Sequence, residues 1–213
     1  MDMRKILITG FEPFLGETVN PSQKLLKRYE SSKHVDTLLL PVSYQRAWEM
    51  LKQQLLSVQS EQGYGAILML GQAGGRKQIC LERVAINLMD ASHPDEDGVV
   101  LCEKTIDLSG PTAFLNPLPL RQMLQGLRSK GCPVEISNTA GTFICNLIYY
   151  RCFQFLSQSQ SSARPLFVHV PFMTEQIFGK SAETPSLTFE VMDQTLGEII
   201  CWIRNQELSH LVS

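Results

Sequence analysis

Unbroken apolar runs alternate with apolar positions at helical spacing along most of this chain. The runs Lys5–Thr9, Thr37–Val42, Ala66–Leu70, Val134–Ile136 and Leu166–Val170 read as strands buried on both faces. Helices are predicted between them. One starts at Pro21-Ser22 and puts Leu25, Leu26 and Tyr29 on one face, proline being tolerated in a first helical turn. A second carries Trp48, Leu51, Leu55 and Val58, and a third carries Leu120, Leu124 and Leu127 before stopping at Lys130-Gly131. A fourth runs through Leu147, Ile148, Tyr149, Tyr150, Phe153 and Phe155, and a long amphipathic one spans Leu187–Trp202. Strand and helix in alternation predict β-α-β units, a largely parallel sheet and an α/β fold.

Three stretches are less regular. Gln78–Asn87 partly alternates and predicts a strand or a hairpin. Pro94-Asp95-Glu96-Asp97-Gly98 marks an exposed turn, and the residues after it, up to Asn116, are compatible with a second hairpin. The acidic trio lacks the alternating ligand order of an EF-hand and reads as a solvated loop. Ser157–Ala163 reads as a polar loop.

Composition narrows the function more than the fold. The 213 residues suit one domain over residues 1–213. A net charge of −2 with 19% charged residues gives no polybasic field, so neither nucleic acid nor an anionic membrane is expected as a partner. A small-molecule or peptide substrate fits better. Met1–Phe11 is too short, and wrongly followed, for a signal peptide or a spanning helix, so the chain is expected to stay in the cytoplasm. The six cysteines lack C-x-x-C spacing; reduced, mostly buried thiols are expected for about five of them. No metal-spaced His/Cys/Asp cluster occurs, and no metal or cofactor is expected.

The sixth cysteine stands apart. Ser137-Asn138-Thr139-Ala140-Gly141-Thr142-Phe143-Ile144-Cys145-Asn146 joins a short strand to a helix and sets Cys145 in or near the first turn. Unpaired backbone N–H groups and the positive end of the helix dipole favour a thiolate there. Cys145 is therefore the leading nucleophile candidate.

In an open α/β sheet, ligands sit outside the carboxyl ends of the strands. His169 lies near the end of Phe167-Val168-His169-Val170-Pro171, and Glu82 follows the Ala66–Leu70 strand. If the strands leading to Cys145 and His169 are parallel neighbours, they lie about 5 Å apart and the two side chains come within reach. Thiolate, imidazole and an orienting carboxylate together suit amide cleavage. Read alone, His169 is a core histidine and Glu82 a surface carboxylate paired with Arg83. His34, His93 and His210 read as ordinary surface groups. Gly71-Gln72-Ala73-Gly74-Gly75-Arg76 could cradle a phosphate, yet lacks the Lys-Ser/Thr ending of a P-loop. Phe11 and Phe14, after the first strand, could wall a small apolar slot.

Taken together these motifs resemble the pyroglutamyl peptidase I family. The match includes Thr9-Gly10-Phe11-Glu12-Pro13-Phe14, Thr18-Val19-Asn20-Pro21-Ser22, Gly71–Arg76, Glu82-Arg83-Val84-Ala85-Ile86-Asn87, Ser137–Asn146 and His169-Val170-Pro171-Phe172, in order along almost the whole chain. The resemblance implies a three-layer α/β/α sandwich with a mostly parallel mixed sheet, phosphorylase/hydrolase-like, in a cytoplasmic homo-oligomer, dimer or tetramer. It implies a cysteine peptidase that removes 5-oxoproline from N-terminally pyroglutamylated peptides, with Cys145 as nucleophile, His169 as general base and acid and Glu82 as third member. It further implies that Phe11, Phe14, Asn20, Gln72, Phe143 and Ile144 border the pyroglutamyl pocket. Leu15, where the family usually has glycine, Leu147, where many members have histidine, and Cys80, often a small hydroxyl residue, depart from the pattern. A phosphorylase-like enzyme using Gly74, Gly75 and Arg76 is the alternative, and a non-catalytic binding protein a third.

Overall fold

The computed structural model describes residues 4–58 and 63–211, with side chains through 206. Its core is a six-stranded sheet in the order β2-β1-β3-β8-β4-β7. The strands are β1 (Ile6–Phe11), β2 (Val35–Leu40), β3 (Ala66–Gln72), β4 (Ile79–Glu82), β7 (Val134–Ser137) and β8 (Arg164–Val170). β2, β1, β3 and β8 run parallel; β4 is antiparallel to β8, and β7 is parallel to β4.

Side chains alternate across this sheet because successive residues of a strand point to opposite faces. Ile6, Ile8, Leu68, Leu70, Leu166 and Val168 enter one core, with α1 (Pro21–Lys27), α3 (Leu120–Ser129) and α5 (Phe189–Leu211). Leu7, Ile67, Met69 and Phe167 enter the other, with α2 (Tyr44–Ser57) and α4 (Ile144–Gln158). The result is a three-layer α/β/α sandwich on a mixed, mostly parallel sheet. Strands buried on both faces are why their sequences read as unbroken apolar runs.

Several expectations need correction. The second strand lies two residues earlier than expected, and α5 extends well past Trp202. Ser157 and Gln158 belong to α4 rather than to the following loop. Gln78–Asn87 forms no hairpin: β4 joins the main sheet, whereas β5 (Val84–Ile86) pairs with β6 (Ala113–Leu115) in a separate ladder. That long-range pairing replaces the second hairpin. Asp95 is buried, accepting from the backbone N–H groups of Tyr44, Asp97 and Val99, so one member of the acidic trio builds the turn rather than facing water. Of the cysteines, Cys80, Cys132 and Cys152 are buried, but Cys102 and Cys201 are exposed. Among the described residues, no helix is long and apolar enough to cross a membrane.

Candidate active site

The strands ending in Cys145's loop and in His169 are not neighbours. β4 lies between β7 and β8, and β7 runs opposite to β8. Convergence comes from a different route: residues 138–143 turn the chain back onto the α2/α4 face, where α4 begins at Ile144 with Cys145 as its second residue. There, a Cβ placed on Gly71 would lie 3.0 Å from Cys145 Sγ, and Gly71 is the in-register partner of His169. Glu82, fully buried, meets His169 from the other side, its Oε1 2.8 Å from Nδ1. Since a carboxylate only accepts, Nδ1 carries the proton and Nε2 is left to exchange one. Cys145, His169 and Glu82 are thus brought together at one place.

Two helix side chains hold this arrangement. Asn146, next to Cys145 and fully buried, accepts from Ile86 N–H and donates to the Ile86 and Leu88 carbonyls. Tyr149 donates its hydroxyl to the Glu82 carbonyl and accepts from Asn116. The helix carrying Cys145 is thereby tied to the strand carrying Glu82. In sequence Asn146 closes the Ser137–Asn146 stretch and Tyr149 is one apolar position of the helix that follows; no periodicity marks either as a tie to the strands.

The helix start does not by itself make a thiolate. Burial pushes the Cys145 thiol up to about 12, the Glu82 charge adds to this, and its own backbone N–H offsets only part. Withdrawal from water thus works against the first-turn dipole at this sulfur. Cys80, opposite His169 in register, is also pushed up to about 12, by burial and by its hydrogen bond to the Glu135 carboxylate.

A cleft of about 290 Å³ opens over Cys145. Ligand sites run to roughly 300–1,000 Å³, so this one suits a single small ring. Phe11, Phe14, Asn20, Gln72, Phe143 and Ile144 all line it. Phe14 stacks on Phe143 at 5.7 Å between centroids, and Tyr44 meets Phe143 edge-on at 5.3 Å. Asn20 caps α1, accepting from Ser22 and donating to the Glu12 carbonyl, so it shapes the loop that carries Phe14.

Gln72 is oriented by a chain of amides. Gln176 Oε1 accepts from Met173 N–H, so its Nε2 faces Gln72 and donates to Gln72 Oε1 at 2.9 Å. Gln176 thereby holds the Oε1 end of the Gln72 amide in the wall of the cleft.

His93, expected on the surface, also lines the cleft, its ring 4.6 Å edge-on from Phe143 and 6.0 Å from Phe14. Its irregular loop gives no periodic signal, and only the folded chain brings the ring to the aromatic wall. His34 is exposed, and the side chain of His210 lies outside those described. Leu15 stands at the cleft mouth, 64% exposed, with φ +55° in the left-handed region that glycine occupies freely. Leu147 is a buried core residue against the second face.

Arg76 is not open to a phosphate. Its guanidinium donates to Ser137 Oγ and the Thr139 carbonyl and lies 3.5 Å from Glu82 Oε1. Arg83 bonds Asn138 and leaves Glu82 to His169 and Arg76. Among the described residues no group of three His, Cys, Asp or Glu side chains could hold a metal ion.

Known proteins share both sequence and architecture. Residues 4–203 match the family model of pyroglutamyl peptidase. The pyrrolidone-carboxylate peptidase of Brevibacillus brevis is 37% identical over 194 residues, 89% of this chain and 88% of that one. That of Bacillus subtilis is 36% identical over 197 residues, covering 91% and 89%. The crystal structure of pyrrolidone carboxyl peptidase from Fervidobacterium islandicum superposes with a TM-score of 0.87 at 39% identity, covering 92% of this chain and 96% of that one. Pyroglutamyl peptidase I from Bacillus amyloliquefaciens gives 0.87 at 33% identity, covering 95% and 96%. With matches this extensive, the chain belongs to the pyroglutamyl peptidase family, the cysteine peptidases that remove an N-terminal pyroglutamyl residue.

Proposed function

We propose that Cys145, His169 and Glu82 carry out this cleavage as nucleophile, general base and acid, and orienting carboxylate. The observation that carries the reading is the buried 2.8 Å contact of His169 Nδ1 with Glu82 beside the strand position that Cys145 Sγ touches. Nε2 of His169 takes the thiol proton as Sγ bonds to the pyroglutamyl carbonyl carbon. The oxyanion so formed has the unpaired amides of the first turn of α4 as its available donors. The imidazolium, held by Glu82, then protonates the departing amine as the C–N bond breaks and leaves a thioester. Water, deprotonated by the same imidazole, releases 5-oxoproline and restores the thiol.

Phe11, Phe14, Phe143 and Ile144 form the apolar walls for the flat lactam, with Gln72 and Asn20 at its polar rim. The substrates are N-terminally pyroglutamylated peptides, the leaving chain extending past Leu15. The family resemblance supports a cytoplasmic homo-oligomer, dimer or tetramer, and six unpaired cysteines fit a reducing compartment. The test is hydrolysis of a pyroglutamyl chromogenic amide by the wild-type chain and Cys145→Ala. Turnover by the first and none by the second is expected; turnover by a folded Cys145→Ala protein overturns the assignment.

A further inference from the structure

Arg76 occupies a place that the cleavage reaction, as described, does not use. The turn at Gly74-Gly75, with Gly75 at φ +89°, sends it off the end of β3 toward β4 and β7. Its side chain is 28% exposed. Each amino group of the fork makes two contacts. Nη1 lies 3.1 Å from Ser137 Oγ and 3.5 Å from Cys80 Sγ; Nη2 lies 3.1 Å from the Thr139 carbonyl and 3.5 Å from Glu82 Oε1.

Glu82 needs such a partner. It is fully buried, and its Oε2 finds no hydrogen-bond partner among the described residues. A buried carboxylate with half its acceptor capacity unmet is costly unless a cation faces it. His169 is a poor permanent partner, because in the proposed reaction its charge comes and goes. Arg76 supplies a fixed charge on the same Oε1 that His169 contacts. Ser137 and Thr139 anchor the fork and so aim Nη2 at the carboxylate. A lysine ammonium, a single point on a flexible stem, could not make these contacts together.

We propose that Arg76 is a positioning residue of the active site, one that holds the Glu82 carboxylate in place against His169. The proposal rests on the triad reading above. Its action runs through Glu82, which separates it from a general support of the fold.

A double-mutant cycle on pyroglutamyl amide hydrolysis tests it: wild type, Arg76→Met, Glu82→Gln and the double variant, each checked for folding by thermal melting. Arg76→Met is expected to lower kcat about tenfold or more with KM changed less than about twofold. In the Glu82→Gln background the same substitution should change kcat less than about twofold, the signature of two residues acting as one unit. Should Arg76→Met fail to fold, Arg76→Lys replaces it in the same cycle, with a smaller loss and the same coupling. Losses that multiply across the cycle, or wild-type kcat in a folded Arg76→Met protein, overturn the proposal. Wild-type kcat in Glu82→Gln overturns the triad reading itself and the Arg76 proposal with it.

Discussion

Gly71 leaves room for Cys145: a methyl group on Gly71 would stand 3.0 Å from the Cys145 sulfur and 2.9 Å from Cζ of Phe167. The ring of Phe167 is fully buried and closely packed, so the methyl presses on the sulfur as well as on the ring. A displaced nucleophile costs rate rather than binding, and a misplacement of about 1 Å can lose on the order of 100-fold. Gly71→Ala should therefore keep KM within about threefold while kcat falls at least about tenfold. Steady-state kinetics on a pyroglutamyl amide decide it; an unchanged kcat means that the sulfur does not sit where the reaction needs it.

The triad reading makes its two partners unequal. His169 transfers protons in both half-reactions, a contribution of roughly 10²–10⁴ in rate, whereas Glu82 orients the ring and offsets its charge. His169→Ala should lose at least about 100-fold in kcat, and Glu82→Gln distinctly less. Both are measured on protein whose melting curve shows it folded, since both side chains are buried. The reverse order would give Glu82 a direct part in bond making.

Cys145 offers a pH test with a definite sign. Its thiol is raised to about 12, by burial first and by the negative charge of Glu82 second. Alkylation by iodoacetamide should thus climb as pH rises through the alkaline range. Removing the charge in Glu82→Gln takes away one of the two raising causes, so the alkylation limb should move to lower pH. Turnover falls in the same variant, and the two readouts move oppositely. An alkylation limb displaced to higher pH would mean that Glu82 stabilises the thiolate through His169 more than it opposes it.

What the sequence showed, and what it hid, follows from where the information lies. Cys145 was legible because a strand, a turn and an apolar helix succeed each other within a short stretch, and His169 because it ends an unbroken apolar run. The partner of β8 was not legible: β4 is four residues long, and its insertion between β8 and β7 depends on contacts far apart in the chain. His93 was missed because nothing local distinguishes a ring that packs on Phe143 from one in water. The helix start favours a thiolate at Cys145, but its burial and the nearby charge of Glu82, which push the thiol up, are visible only in the folded chain. Arg76 carried a glycine-rich, phosphate-like signal, yet its guanidinium is taken up by Ser137, Thr139 and Glu82.

Gln176 should matter for binding and not for chemistry. It donates to Gln72 Oε1 and the Val19 carbonyl, while its own Oε1 is fixed by Met173 N–H. Replacing it by leucine removes the bond that holds Gln72 and frees its amide to rotate in the wall of the cleft. Loss of one net hydrogen bond is about 0.5–1.5 kcal/mol, so KM should rise between about two- and tenfold with kcat nearly constant. A pure kcat defect would show that the amide chain steadies the reacting groups instead.

Specificity should rest on the uncharged lactam. Phe11, Phe14, Phe143 and Ile144 give the cleft apolar walls, and its carboxylate, Glu17, is engaged by Lys180 at 2.6 Å. An N-terminal glutamine or glutamate would bring an ammonium group into those walls, at several kcal/mol unless it is paired. Proline keeps the ring but carries a charged secondary amine and no lactam carbonyl, so it would lose a hydrogen bond as well. Sites that hydrogen-bond a substrate group reject analogues lacking it far more strongly than apolar pockets reject a methylene. The ratio of kcat/KM for pyroglutamyl over prolyl and glutaminyl amides of one leaving group should therefore exceed about 10³. Comparable values for the three would mean that the cleft over Cys145 is not the pocket that reads the lactam.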